Sequence, residues 1–174
     1  MFYIPWEIIS ALTFPWVIVH EWAHKKYCEW TWVKVIEVVY FRFWNPSWYV
    51  FHEEPNDYSK VFWISVWPLI INTLFALVLS FIASQTVVDS WIYNTLLWIA
   101  LSIGLHAFPS DQDVSHILSK SKLALKKWRN YLDLLTFPFV GIIFLANKLR
   151  FFWFDLIYAL LLIQLWSWWL LFSF

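Results

Sequence analysis

The chain has 174 residues, is 61% hydrophobic and 14% charged, and has a mean hydropathy of +0.60. Soluble domains carry about 45–50% apolar and about 25% charged residues, so the composition excludes an ordinary soluble enzyme and leaves an integral membrane protein. Its 12 basic and 12 acidic residues cancel, no nucleic-acid partner is expected, and the lone Cys28 excludes an internal disulfide.

Residues 4–27 read as a first helix, apolar to Val19 and polar beyond, with Pro15 either kinking it or opening its second piece. The N-terminus lacks a basic region and a small-residue cleavage site, so no cleavable signal peptide is expected. The helix runs into His20-Glu21-Trp22-Ala23-His24. Positions i and i+4 share a helix face, so His20 and His24 can offer two imidazole nitrogens to one metal ion, with Glu21 beside the open coordination position. This is the HExxH arrangement of zinc peptidases, in which the glutamate handles protons rather than binding metal. An ionisable cluster directly after an apolar run is costly unless it has a partner or a function.

A β-hairpin at the membrane surface is expected over 31–53, with strand-like runs Val33–Phe43 and Tyr49–His52 around Asn45-Pro46-Ser47. Membrane helices are expected at about 61–83, 91–108, 132–146 and 151–174, and a basic amphipathic helix on the membrane surface at 114–130. The expected class is therefore an all-α polytopic membrane protein of about five transmembrane helices with a small surface β-hairpin, forming one domain over 1–174. Placing the hairpin and the basic segment in the cytoplasm puts every Lys and Arg there except Lys148 and Arg150. That positive-inside bias sets the N-terminus outside, the C-terminus inside and the histidine motif near the cytoplasmic face.

A catalytic zinc takes three protein ligands and leaves a fourth position for water. Asp113 is the preferred third ligand, because it follows Pro109, where a helix tends to break and irregular backbone can turn a carboxylate back. Asp111, His106, His116 and, more remotely, Glu53 and His52 are the alternatives. His106 lies inside an apolar span and serves either as a ligand or as a group that orients one. Asn72 lies inside another, where its amide must find partners: a substrate backbone, or a neighbouring helix.

Average usage of about 7% glycine predicts about twelve in a chain this long; this one has 2, beside 16 tryptophans. Trp32, Trp44, Trp48 and Trp67 stand where turn chemistry or an adjacent proline suggests glycine. The expectation is that some of these codons are UGA read as glycine, and UGG codons at the four positions would remove it. A belt of interfacial tryptophan accounts better for Trp166, Trp168 and Trp169.

The histidine motif late in a membrane helix, the hairpin after it, and Trp67-Pro68-Leu69-Ile70-Ile71-Asn72 together resemble the site-2 protease family of intramembrane zinc metalloproteases. The last stretch resembles the family's Gly-Pro-to-Asn motif if Trp67 stands for glycine, with spacing that departs by one residue. The resemblance covers residues 10–115 and implies one Zn2+ held by His20, His24 and Asp113. It also implies Glu21 as the catalytic acid–base, and Asn72 and His106 near the substrate or behind the ligands. The activity implied is hydrolysis of peptide bonds in single-span membrane proteins, in the bilayer of a bacterial plasma membrane, at its cytoplasmic side. The alternative is a non-enzymatic metal-binding membrane protein, acting as a sensor, a transporter or an assembly factor.

Overall fold

The computed structural model describes residues 13–40, 48–127 and 131–172. The chain runs α1 (Phe14–Trp30), β1 (Val35–Val39), β2 (Tyr49–His52), α2 (Tyr58–Ser84), α3 (Trp91–Leu105), α4 (Asp111–Lys127) and α5 (Tyr131–Leu149). A 3-10 turn (Arg150–Phe152) and α6 (Phe154–Phe172) follow. The molecule is thus mostly helical, with one small antiparallel sheet. Residues 4–12 of the expected first helix, and Trp44 with the hairpin tip Asn45-Pro46-Ser47, lie outside the described residues. Pro15 occupies the first turn of α1, where its missing N–H removes no hydrogen bond.

α1 ends in a way that bears on the shortage of glycine. The Val33 N–H bonds the Cys28 carbonyl at 2.9 Å and the Trp32 N–H bonds the Glu29 carbonyl at 3.3 Å, the two crossed bonds of a Schellman cap. Cys28 and Val33 also pack together against Ile64, as that motif asks. The residue between them must be left-handed, and it is Trp32, with φ 57 and 93% exposure. Among the described residues only Trp32, Asp89 and Trp153 have positive φ, and no glycine does. Trp67 is different, being helical and packed on the rings of Tyr27 and Trp30 at 5.2 and 5.6 Å. The exposed Trp32 ring forfeits little packing, while an L residue in this conformation costs roughly 1–2 kcal/mol. Allowing for the greater freedom of glycine in the unfolded chain, Trp32→Gly is expected to stabilise the protein by about 1 kcal/mol. A lower melting temperature for the variant would contradict this.

The hairpin pairs Val39 with Tyr49, Val38 with Val50, Glu37 with Phe51 and Val35 with His52, with an irregularity between Val35 and Glu37. Its exit loop is tied to α4, where Glu54 pairs with Lys120 and, at 3.3 Å, with His116. Lys120 first, then His116, holds the Glu54 carboxyl below its ordinary value.

Among the described residues α2 is the one helix long and apolar enough to cross a membrane. Asp57 caps its start by accepting from the Ser59 N–H at 3.1 Å. α3 is apolar but only 15 residues long. Gly104 lets α3 and α6 approach closely, since a Cβ there would stand 2.8 Å from the Ala159 Cβ. Ala76, Ile103 and Leu162 join α2, α3 and α6 in one buried cluster. A second cluster joins Phe62 and Val66 of α2, Val114 and Ile117 of α4, and Val140 and Ile143 of α5.

Two expectations need correction. The basic helix begins at Asp111 rather than residue 114, and Val114 and Ile117 of its apolar side pack against α2 and α5. The last two apolar runs are not two antiparallel spans, because Leu135–Leu149 and Phe154–Trp166 are bent by 108° across the 3-10 turn. The physical reason lies at the turn: the Asn147 amide reaches the Pro109 carbonyl at 3.4 Å, and the Arg150 Nη2–H donates to the Phe108 carbonyl at 3.0 Å. Those contacts hold Arg150 at the histidine end of the bundle rather than across from it. α6 then runs alongside α2 in the same direction, with Tyr158 at Thr73 and the Trp166 indole N–H reaching the Leu77 carbonyl at 2.9 Å. α6 therefore leads away from the motif.

Candidate metal centre

His20, Glu21 and His24 are buried on α1, between the ends of α2 and α3. The His20 Nδ1–H donates to the His106 carbonyl at 2.7 Å, and the His24 Nδ1–H donates to the Ile64 carbonyl at 2.9 Å. Carbonyls only accept, so each Nδ1 carries a hydrogen, and on a neutral ring Nε2 is then the nitrogen that offers a lone pair. These two Nε2 atoms face each other at 3.2 Å. Two lone pairs so close repel unless a cation lies between them, either a proton carried by one ring or a metal ion.

Asp113 supplies the negative partner. Its Oδ2 lies 3.6 Å from the His24 Nε2, and the donor atoms of His20, His24 and Asp113 all fall within 4.8 Å of one another. Donors about 2.0–2.2 Å from a tetrahedral ion stand roughly 3.3–3.6 Å apart, so the three residues fit one metal ion. Burial works against the charged carboxylate of Asp113, and a positive charge at His24 together with the Ser110 hydrogen bond outweighs it, so the carboxyl is held below its ordinary value.

The backbone at Asp113 is not the irregular loop expected from Pro109. Ser110 caps α4, and its N–H and Oγ donate to the Asp113 Oδ2 at 3.0 and 2.6 Å, while its Oγ accepts from the Asp113 N–H at 3.3 Å. This capping box places the carboxylate on the first turn of a helix, aimed at His24. Capping and facing the histidine are done by one side chain.

The competing ligands lie elsewhere. Asp111 is exposed at the start of α4, His116 bonds Glu54 at 3.3 Å, Glu53 pairs with Lys34 at 3.4 Å, and His52 bonds the Glu53 carbonyl at 2.8 Å. His106 turns its ring to Thr13, with Nε2 2.7 Å from Oγ1, and serves the centre through its backbone. Its carbonyl accepts from both the His20 ring and, at 2.8 Å, the Asn72 Nδ2–H. Asn72 is fully buried, and its Oδ1 has no hydrogen-bond partner among the described residues. It therefore bridges α2 to the carbonyl that orients His20. Outer contacts of this kind are worth roughly 10–100-fold in metal affinity, so Asn72→Leu is expected to weaken metal binding by about that factor. Unchanged affinity in a competition titration would remove Asn72 from the centre.

Beside His20 and Glu21 a cavity of about 60 Å³ opens, also walled by Trp48, Phe108, Ser110 and Arg150. It has room for a few water molecules. The residues that sequence reasoning missed are Ser110 and Arg150. The Ser110-x-x-Asp113 spacing is a readable capping signature, whereas nothing local in the sequence brings Arg150 to this wall. Comparison with protein-family models, with curated proteins and with solved structures returns no match to this chain, and its chemistry rests on the geometry of this centre.

Proposed function

We propose that the chain is a polytopic membrane zinc metalloprotease, similar in its site to the site-2 protease family, that cuts membrane-spanning substrates near the cytoplasmic face. One observation carries the reading. Two imidazole Nε2 atoms, on rings whose Nδ1–H groups are held by backbone carbonyls, face each other at 3.2 Å, with a carboxylate oxygen 3.6 Å from that of His24. That donor set suits zinc, and the glutamate next to it suits hydrolysis. α1, α3 and α6 pack along α2 and would share its bilayer. Lys25, Lys26, Lys34, Lys60, Arg150 and the basic α4 lie toward the motif end, which the positive-inside rule directs to the cytoplasm.

A bound zinc ion supplies Lewis acidity, polarising the scissile carbonyl and lowering the pKa of water toward neutrality. Glu21 takes the proton of the attacking water and delivers it to the leaving amine nitrogen as the C–N bond breaks. His106 and Ile64 hold the two rings in the tautomer that leaves both Nε2 atoms open. The cavity beside Glu21 admits water to a site otherwise enclosed by apolar helices. A helical substrate must unwind locally before its peptide bonds are exposed to attack.

The test is cleavage of a model single-span peptide by the purified protein, lost on chelation and restored by one equivalent of zinc. Zinc held at one per chain with no cleavage of any single-span substrate would overturn the enzyme reading in favour of a metal-binding role without catalysis.

A further inference from the structure

Arg150 lines the cavity beside His20 and Glu21, and its guanidinium is held at the same end by the Phe108 carbonyl of that wall. Arg150 reaches that wall from the 3-10 turn between α5 and α6, where the chain bends by 108° and Trp153 adopts a left-handed φ of 61°. Its Nη2–H donates to the Phe108 carbonyl at 3.0 Å, and its Nε lies 2.8 Å from an Asp155 carboxylate oxygen. Asp155 is only 3% exposed, at the head of an apolar helix. Buried pairs of this kind seldom add stability over apolar residues of the same volume, because desolvating both charges offsets their attraction. A chain that bends sharply and buries a carboxylate to hold one cation against a cavity is arranged for what enters the cavity.

We propose that Arg150 binds the negative charge that develops on the substrate carbonyl oxygen as the peptide bond is attacked; this rests on the protease reading above. When water adds to the carbonyl carbon, the π pair of C=O moves onto oxygen. A guanidinium fixed in advance stabilises that oxyanion through charge-assisted hydrogen bonds, at no cost of reorganisation during the reaction. As the C–N bond breaks and Glu21 protonates the nitrogen, the pair returns to rebuild C=O in the product acid. Arg150 is unchanged by the cycle. Its place on the same wall as His20 and Glu21 favours the reacting carbonyl over a remote acidic side chain.

The experiment uses the full chain in detergent, loaded with Co2+ so that the visible spectrum reports occupancy. The probe is a phosphinic-acid peptide, whose tetrahedral P–O⁻ copies an oxyanion. Arg150→Gln is expected to keep the cobalt spectrum, lose roughly 100-fold or more in phosphinate affinity, and lose kcat by roughly 10²–10³ with KM little changed. Arg150→Lys keeps the charge as a point without the planar fork, and recovers part of both. Because Arg150→Gln leaves Asp155 buried and unpaired, the double variant Arg150→Met/Asp155→Leu removes both charges together and is expected to show the same losses in a folded, cobalt-binding chain. Wild-type phosphinate affinity and kcat in either cobalt-binding variant would overturn the proposal. So would a loss confined to KM for substrates with an acidic side chain, which would make Arg150 a selector of side chains. A wild-type chain that binds cobalt and the phosphinate but cuts nothing instead counts against the protease reading, and one that binds no cobalt removes the metal centre itself.

Discussion

Glu21→Gln is expected to retain one zinc per chain and to slow cleavage of a single-span substrate by roughly 10²–10⁴-fold. The amide has the size of the carboxylate and can still accept a hydrogen bond, but it cannot take a proton from water at neutral pH. Glu21 touches neither of the contacts that orient the rings, which run from His20 to the His106 carbonyl and from His24 to the Ile64 carbonyl. Metal content and turnover should therefore separate cleanly in this variant. Equal turnover by the two proteins would remove Glu21 from the chemistry, and with it the main argument for a hydrolase. Joint loss of zinc and turnover would assign Glu21 to the ligand set instead.

The second large effect is expected at Asp113, which acts on both stability and metal. Asp113→Ala removes the acceptor of the Ser110 N–H and Oγ–H as well as the oxygen 3.6 Å from the His24 Nε2. Losing the cap is expected to cost about 0.5–2 kcal/mol of stability. The zinc loss should exceed the roughly 10–100-fold typical of outer contacts, because a direct donor is gone. Asp113→Asn separates the two effects, since the amide oxygen still accepts from Ser110 while offering metal a neutral, weaker donor. Its melting temperature should stay near the wild type while zinc, measured by competition with a chromogenic chelator, is lost. An asparagine variant that binds zinc as tightly as the wild type would show that Asp113 is a helix cap and nothing more.

How much of this was readable from the sequence depends on how local each signal is. His20 and His24 were legible because a helix forces i and i+4 onto one face, and a histidine pair after an apolar run has few inexpensive explanations. Asp113 was legible as a residue but not in its backbone: Pro109 suggested irregular chain, whereas the Ser110 capping box starts a helix at once. His106 stood out for its imidazole, yet its backbone oxygen does the work, and side-chain chemistry gives no warning of that. For Arg150 the sequence suggests the opposite end of the bundle, because consecutive apolar runs suggest alternating spans and a bend of 108° has no hydropathy signature. At Trp32 the composition pointed to a glycine-like position, and the structure puts a left-handed residue there. The coding sequence decides whether that residue is glycine.

The single oxygen of His106 has a mechanical implication. It clasps the His20 ring of α1 and the Asn72 amide of α2 from the end of α3, so parting α3 from α1 frees the His20 ring and parting it from α2 frees the Asn72 amide. On the protease reading, a substrate that entered by parting α3 from α1 would dismantle the scaffold it came to use. The doorway on that reading would lie where movement leaves both that clasp and the pinned Arg150 untouched, and the hairpin side of the cavity at Trp48 meets the condition.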